Sequence, residues 1–125
     1  MNPTALATLA ALCGGIGAVG GYALDAAVQR RVRRPTPFGT ISVNIIGSFV
    51  LGVITGVVVH YHLSAEVERI VGVGFCGGFT TFSTASFETV RLLRERLLMA
   101  AFTAAVGGVT LSCVAGALGP AIALV

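Results

Sequence analysis

Charged residues interrupt the chain at only a few places, and the stretches between them are apolar and helix-sized. Four uncharged runs stand out: Leu6 to Leu24, a run inside Pro35 to Leu63 that begins near Phe38, Ile70 to Phe87, and Leu97 to Val125. About 20 apolar residues cross the hydrocarbon of a bilayer as an α-helix. Lipid offers no partners for open backbone N–H and C=O groups, so helices are the only candidates at these lengths. The pattern predicts a single domain over residues 1–125, an all-α membrane protein of four transmembrane helices at about 6–24, 38–61, 70–87 and 97–122. The last run exceeds one span, which predicts tilt or a frayed end. Pro120 falls where that helix should kink or stop.

Small residues recur inside these runs. The first carries Ala10, Gly14, Gly17 and Gly21 near one face, and the second carries Ser48, Gly52 and Gly56 at four-residue spacing. Such spacing lets helix backbones approach closely. With 17 glycines in the chain, it describes a tightly packed bundle and says nothing of function.

The third run is different. Gly72, Gly74, Gly77 and Gly78 crowd its first half, and Thr80, Thr81, Phe82, Ser83, Thr84, Ser86 and Phe87 follow. Glycine loosens a helix interior by roughly 1 kcal/mol against alanine. The Gly77–Gly78 pair lies at midspan, so the helix is expected to break near Gly77 to Thr80. Broken helices at the bilayer midplane line cavities or bind ions. Close packing accounts for the glycines equally well, but not for the hydroxyls behind them. Thr80, Ser83, Thr84 and Glu88 share one helical face, and Phe75, Phe79 and Phe82 form a neighbouring aromatic stripe. Ring edges carry partial positive charge. Asn44, two turns into the second run, could join this track. No carboxylate sits mid-helix, where a cation pathway normally wants one. The track therefore suits a small anion that accepts hydrogen bonds strongly.

Composition narrows the class. Charged residues make up 10% of the chain, against about 25% in soluble domains. The net charge of +3 comes from arginine alone and reads as topology, not as nucleic-acid binding. Arg30, Arg31, Arg33 and Arg34 fall in the first connection, Arg91, Arg94 and Arg96 in the third, and only Arg69 in the second. The positive-inside rule then predicts one orientation, with both termini outside. The N-terminus lacks a basic region, so a cleaved signal peptide is not expected. Cys13, Cys76 and Cys113 read as packing residues, and His60, Tyr61 and His62 as an interfacial cluster. No nucleophile–base pair, nucleotide loop or metal cluster is present, which argues against an enzyme.

GFCGGFTTFSTASFE, ending at Glu88, resembles the signature of the Fluc (CrcB) family of bacterial fluoride channels. GTISVNIIGSFVLG, Gly39 to Gly52, resembles that family's second-helix motif, and GGIGAVGGY, Gly14 to Tyr22, its first-helix motif more weakly. The resemblance implies an antiparallel dimer of four-helix subunits in the bacterial cytoplasmic membrane, with two narrow pores. It implies passive efflux of fluoride. It also implies a structural Na+ at the dimer centre, held by the backbone carbonyls of Gly77 and Thr80. The fluoride pathway it carries over is Asn44, Phe82, Ser83, Thr84, Glu88 and Ser112. The chain departs from the family at three points. Ala85 stands where a second pore phenylalanine is usual, and Gly21 where an arginine is usual. Ala104 stands where the fourth helix usually has a tyrosine. With a fixed orientation, these departures predict pairing with a homologous subunit of opposite orientation. Two other readings are a small proton-coupled drug exporter, which needs an embedded carboxylate that this chain lacks, and a non-conducting partner subunit.

Overall fold

The computed structural model describes residues 1–124; Val125, the last residue of the fourth apolar run, lies outside them. The chain folds into four helices, each long and apolar enough to cross a membrane: α1 (Pro3–Val32), α2 (Phe38–His60), α3 (Ala65–Arg94) and α4 (Leu98–Ala123). They overrun the uncharged runs, most of all α1, which carries Asp25, Gln29, Arg30 and Arg31 on its last turns. A helix satisfies its own backbone, so the membrane boundary does not end it. Pro120 does not end α4 either, which runs on to Ala123.

Local chemistry sets the ends. Asn2 caps α1 by accepting from the Thr4 N–H, with Pro3 in the first turn. Ser64 caps α3 by accepting from the Glu66 N–H at 3.1 Å. Pro37, before α2, has no capping side chain. Gln29 replaces it: its Oε1 accepts from the Gly39 N–H at 3.2 Å, and its Nε2 donates to the Arg34 carbonyl at 2.9 Å. Each connection turns on a non-glycine residue with positive φ: Arg33 at 47°, His62 at 51° and Arg96 at 59°.

Two close seams hold the bundle. Along the first, Ala10, Gly14, Gly17 and Gly21 of α1 meet Gly74, Phe75, Gly78 and Phe79 of α3, backbone against backbone. Along the second, Gly52 and Gly56 of α2 meet Gly116, Gly119 and Pro120 of α4. Ala10 pairs with Gly74 and Gly14 with Gly78; Gly52 pairs with Gly116 and Gly56 with Pro120. Both registers rise together, so α1 runs parallel to α3 and α2 parallel to α4. The first and third connections, which with the last turns of α1 and α3 hold seven of the eight arginines, therefore share one end of the bundle.

The interior is small. Leu92, Ala101 and Ala104 are buried together with Ala100 packed against them. Large apolar side chains face outward instead; Tyr22, Phe82 and Met99 are 79%, 81% and 78% exposed. Soluble monomers rarely expose so much apolar surface. The chain is a multi-pass membrane protein whose outer face is made for lipid or a partner.

The third helix is broken at midspan, though not at the glycine pair. Gly77 keeps helical angles (φ −64°, ψ −37°), and the Thr80 N–H still donates to the Cys76 carbonyl at 2.9 Å. The backbone turns extended at Thr80 (φ −83°, ψ 160°) and Thr81 (φ −147°, ψ 120°), and helix resumes at Phe82. Gly78 is instead a packing residue, since a methyl there would strike the Gly14 carbonyl. Before the break, residues Glu68–Cys76 wind in the wider i→i+5 pattern, as do Thr103–Gly107 of α4.

Candidate functional site

The break is fixed by side chains that replace helical hydrogen bonds. The Asn44 amide clamps Thr81 from both sides: Nδ2 donates to the Thr81 carbonyl at 2.9 Å, and the Thr81 N–H donates to Oδ1 at 2.7 Å. Thr81 in turn caps the second half of α3, its Oγ1 accepting from the Thr84 N–H at 3.2 Å and meeting the Thr84 hydroxyl at 3.0 Å. In a regular helix those two N–H groups would serve the carbonyls of Gly77 and Thr80. Both carbonyls are thereby released. The Gly77 face is open, with nothing within 4 Å of where a Cβ would stand. The negative end of one half-helix and the positive end of the next meet at this point.

Beside the break lies a groove of about 760 Å³ between α2, the second half of α3, and α4. Of the residues expected to form a pathway, Asn44, Phe82 and Ser112 line it. Ser83, Thr84 and Glu88 do not. Ser83 Oγ lies 3.4 Å from Thr81 Oγ1, and Glu88 Oε2 lies 2.6 Å from Arg91 Nη2. The polar face is thus split from the aromatic one. Phe75 and Phe79 stack with centroids 5.8 Å apart, and Phe79 packs against Gly20 and Gly47. Two extended residues interrupt the helical phase, so Phe82 alone of the three reaches the groove. Ser112 Oγ is buried and, among the described residues, has no hydrogen-bond partner. Such an orphan costs about 1–3 kcal/mol unless a ligand meets it. Ser86 and Thr89 also line the groove, but their hydroxyls donate to the Phe82 and Ala85 carbonyls at 2.9 and 2.8 Å.

The departures at Ala85 and Ala104 both line the groove and widen it. At Gly21 even a methyl would strike the Phe79 carbonyl, so a long side chain has no room there. Thr81 is the residue of the break that pattern reading did not single out. Its signal was a threonine directly ahead of a helical stretch, a residue type favoured as an N-cap. Among the described residues no three His, Cys, Asp or Glu side chains gather as a metal site. The released backbone carbonyls of Gly77 and Thr80 are oxygens of the kind a hard cation takes.

Residues 8–120 match the family described as CrcB-like protein, Camphor Resistance (CrcB). A Leifsonia xyli subsp. xyli protein named fluoride-specific ion channel FluC 1 is 44% identical over 93% of this chain and 85% of its own length. A FluC 2 protein of Cutibacterium acnes is 48% identical over 64% of this chain and 66% of its own length. A FluC protein of Phocaeicola vulgatus is 37% identical over 86% of this chain and 89% of its own length.

Proposed function

We propose, from the premise that this chain belongs to the CrcB-like protein family, that it is a subunit of a fluoride-selective channel in the bacterial cytoplasmic membrane, through which cytoplasmic fluoride leaves passively. The observation that carries this reading is the break at Thr80 and Thr81, locked by Asn44 at the edge of a donor-bearing groove. Fluoride is small and accepts hydrogen bonds strongly. The free N–H of Asn44, the unpaired hydroxyl of Ser112 and the ring edge of Phe82 could replace its hydration shell. Ser83, Thr84 and Glu88, turned away from this groove, would serve a second pathway lined by both subunits. The relatives named as fluoride-specific channels support the choice of ion.

The released carbonyls of Gly77 and Thr80 fit a structural Na+, which prefers oxygen ligands. Bound there, the ion would supply fixed positive charge at the centre of the assembly. One chain offers too few carbonyls to enclose it, and a 760 Å³ groove is too wide to strip water from a single small anion. Both features support a dimer in which two breaks meet and each subunit narrows the other's groove. The family arrangement is antiparallel. Seven arginines at one end of this bundle favour a homologous partner of opposite orientation over a second copy. Ala85, Gly21 and Ala104 fit that reading, because the partner can supply what this chain lacks.

Fluoride efflux from liposomes, measured with an ion-selective electrode, tests the function. The chain reconstituted with its opposite-facing homologue should release fluoride and pass chloride poorly. Comparable fluoride and chloride rates would defeat the selectivity, and robust efflux by this chain alone would defeat the heterodimer.

A further inference from the structure

A second groove, of about 450 Å³, opens between α1 and α2 beside the arginine-rich connection. Val28, Val32, Phe38 and Ser42 line it, and Arg34 is the one charged residue among its walls. It belongs to a different face of α2 from the main groove. Phe38 and Ser42 stand one turn apart, whereas the main groove takes Thr40, Ile41, Asn44 and Ser48. At 3.6 residues per turn, the two sets lie roughly a third of a turn from each other. The Ser42 hydroxyl is spent on the Phe38 carbonyl at 2.7 Å, so the walls are apolar in effect.

Arg34 is exposed and has no acidic partner among the described residues, and the same holds for Arg30, Arg31 and Arg33. Gln29 holds the Arg34 backbone through its carbonyl, which fixes where the side chain leaves the connection. The site therefore combines a free guanidinium, an apolar cleft beneath it, and a position at the end of two membrane-spanning helices. A soluble anion would use the guanidinium and leave the apolar walls bare. A zwitterionic lipid would use the walls, but its own ammonium already offsets its phosphate and leaves the positive charge of the connection unbalanced. Basic pockets between transmembrane helices suit anionic headgroups, and guanidinium pairs with phosphate through parallel hydrogen bonds. We propose that this groove binds an anionic phospholipid, its phosphate on Arg34 and an acyl chain along Val28, Val32 and Phe38.

The proposal is independent of the transported ion. The chain has no tryptophan, so Phe38→Trp places a single fluorescent reporter in the groove. The full chain carrying it is reconstituted into vesicles containing brominated phosphatidylglycerol or brominated phosphatidylcholine at equal mole fraction. Phosphatidylglycerol should quench roughly fivefold more effectively, the order expected of one arginine at an anionic surface. Arg34→Gln should abolish the preference, and Arg31→Gln, which removes the same charge outside the groove, should retain it. Val32→Trp on the same wall serves as reporter if Phe38→Trp fails to reconstitute. Equal quenching by the two lipids overturns the proposal. Equal losses in the two arginine variants also overturn it, because they indicate diffuse surface attraction. No quenching by either lipid overturns it too, because protein then covers the groove.

Discussion

Asn44 does work that a helix normally does for itself: its amide both donates to and accepts from Thr81. Asn44→Asp keeps the acceptor, loses the donor and adds negative charge beside an anion path. Leaving the Thr81 carbonyl unmet costs the fold about 1–3 kcal/mol, and the added charge repels a permeating anion, so fluoride efflux should fall well below that of the parent. Unchanged efflux by a folded variant would move the pathway elsewhere. Thr80 makes the opposite case. Its hydroxyl donates only to the Cys76 carbonyl at 2.9 Å, and the proposed sodium ligand is its own carbonyl. Thr80→Ala should therefore cost about 1 kcal/mol of stability or less and leave the sodium dependence of transport intact. Thr81→Ala removes a cap worth about 0.5–2 kcal/mol and should lower the thermal midpoint further in the same detergent. The sequence showed that a buried amide at position 44 needed partners. It did not show which, because Thr81 lies 37 residues away and only the fold brings the two together.

At the scale of the helices, one residue type does two jobs that sequence alone does not separate. Glycine weakens a helix and also lets two helices touch. The pair at midspan pointed to a break there, but Gly78 is consumed by contact with Gly14, while the chain opens two residues later, where Asn44 and Thr81 offer the backbone better partners. What was legible was a break near midspan, from the glycine pair and the hydroxyls behind it, and the small-residue faces of α1 and α2, from their spacing. The positive-φ turns at Arg33, His62 and Arg96 were not legible, because neither glycine nor asparagine marks them. The neighbouring glycines give a paired test. Gly78→Ala must push α1 away from α3 and should cost about 1–3 kcal/mol, seen as a loss of folded monomer on size exclusion. Gly77→Ala meets open space within this chain. It should leave the monomer folded and weaken pairing with the opposite-facing homologue, read by cross-linking of the two chains expressed together. If both variants fold and dimerise like the parent, the seam and the dimer face are both misplaced.

For the whole molecule, charge decides what packing leaves open. A four-helix bundle with two parallel seams fits the membrane equally well either way up. The arginines do not. Seven lie on the connections and adjoining helix ends at one end, and only Arg69 belongs to the other. Glu66 and Glu68 stand beside Arg69, and Glu66 pairs with the N-terminal amine at 2.7 Å. Arginine near the ends of spans fixes orientation, whereas acidic residues contribute little. Each arginine held on the wrong side of 100 mV costs roughly 2.3 kcal/mol, so the inverted molecule is strongly disfavoured. The chain should insert one way, with the Arg30 to Arg34 connection in the cytoplasm. Replacing Cys13, Cys76 and Cys113 and introducing Arg31→Cys gives one labelling site on that connection. A membrane-impermeant maleimide should modify it only after the cytoplasmic face is opened. Moving the bias should move the molecule: neutralising Arg30, Arg33 and Arg34 while adding arginines beside Arg69 should produce labelling from both sides. That doubly oriented variant should also form antiparallel dimers with itself, which the parent should not. Equal labelling of the parent from both faces would remove the reason for an opposite-facing partner and return the assembly to two copies of one chain.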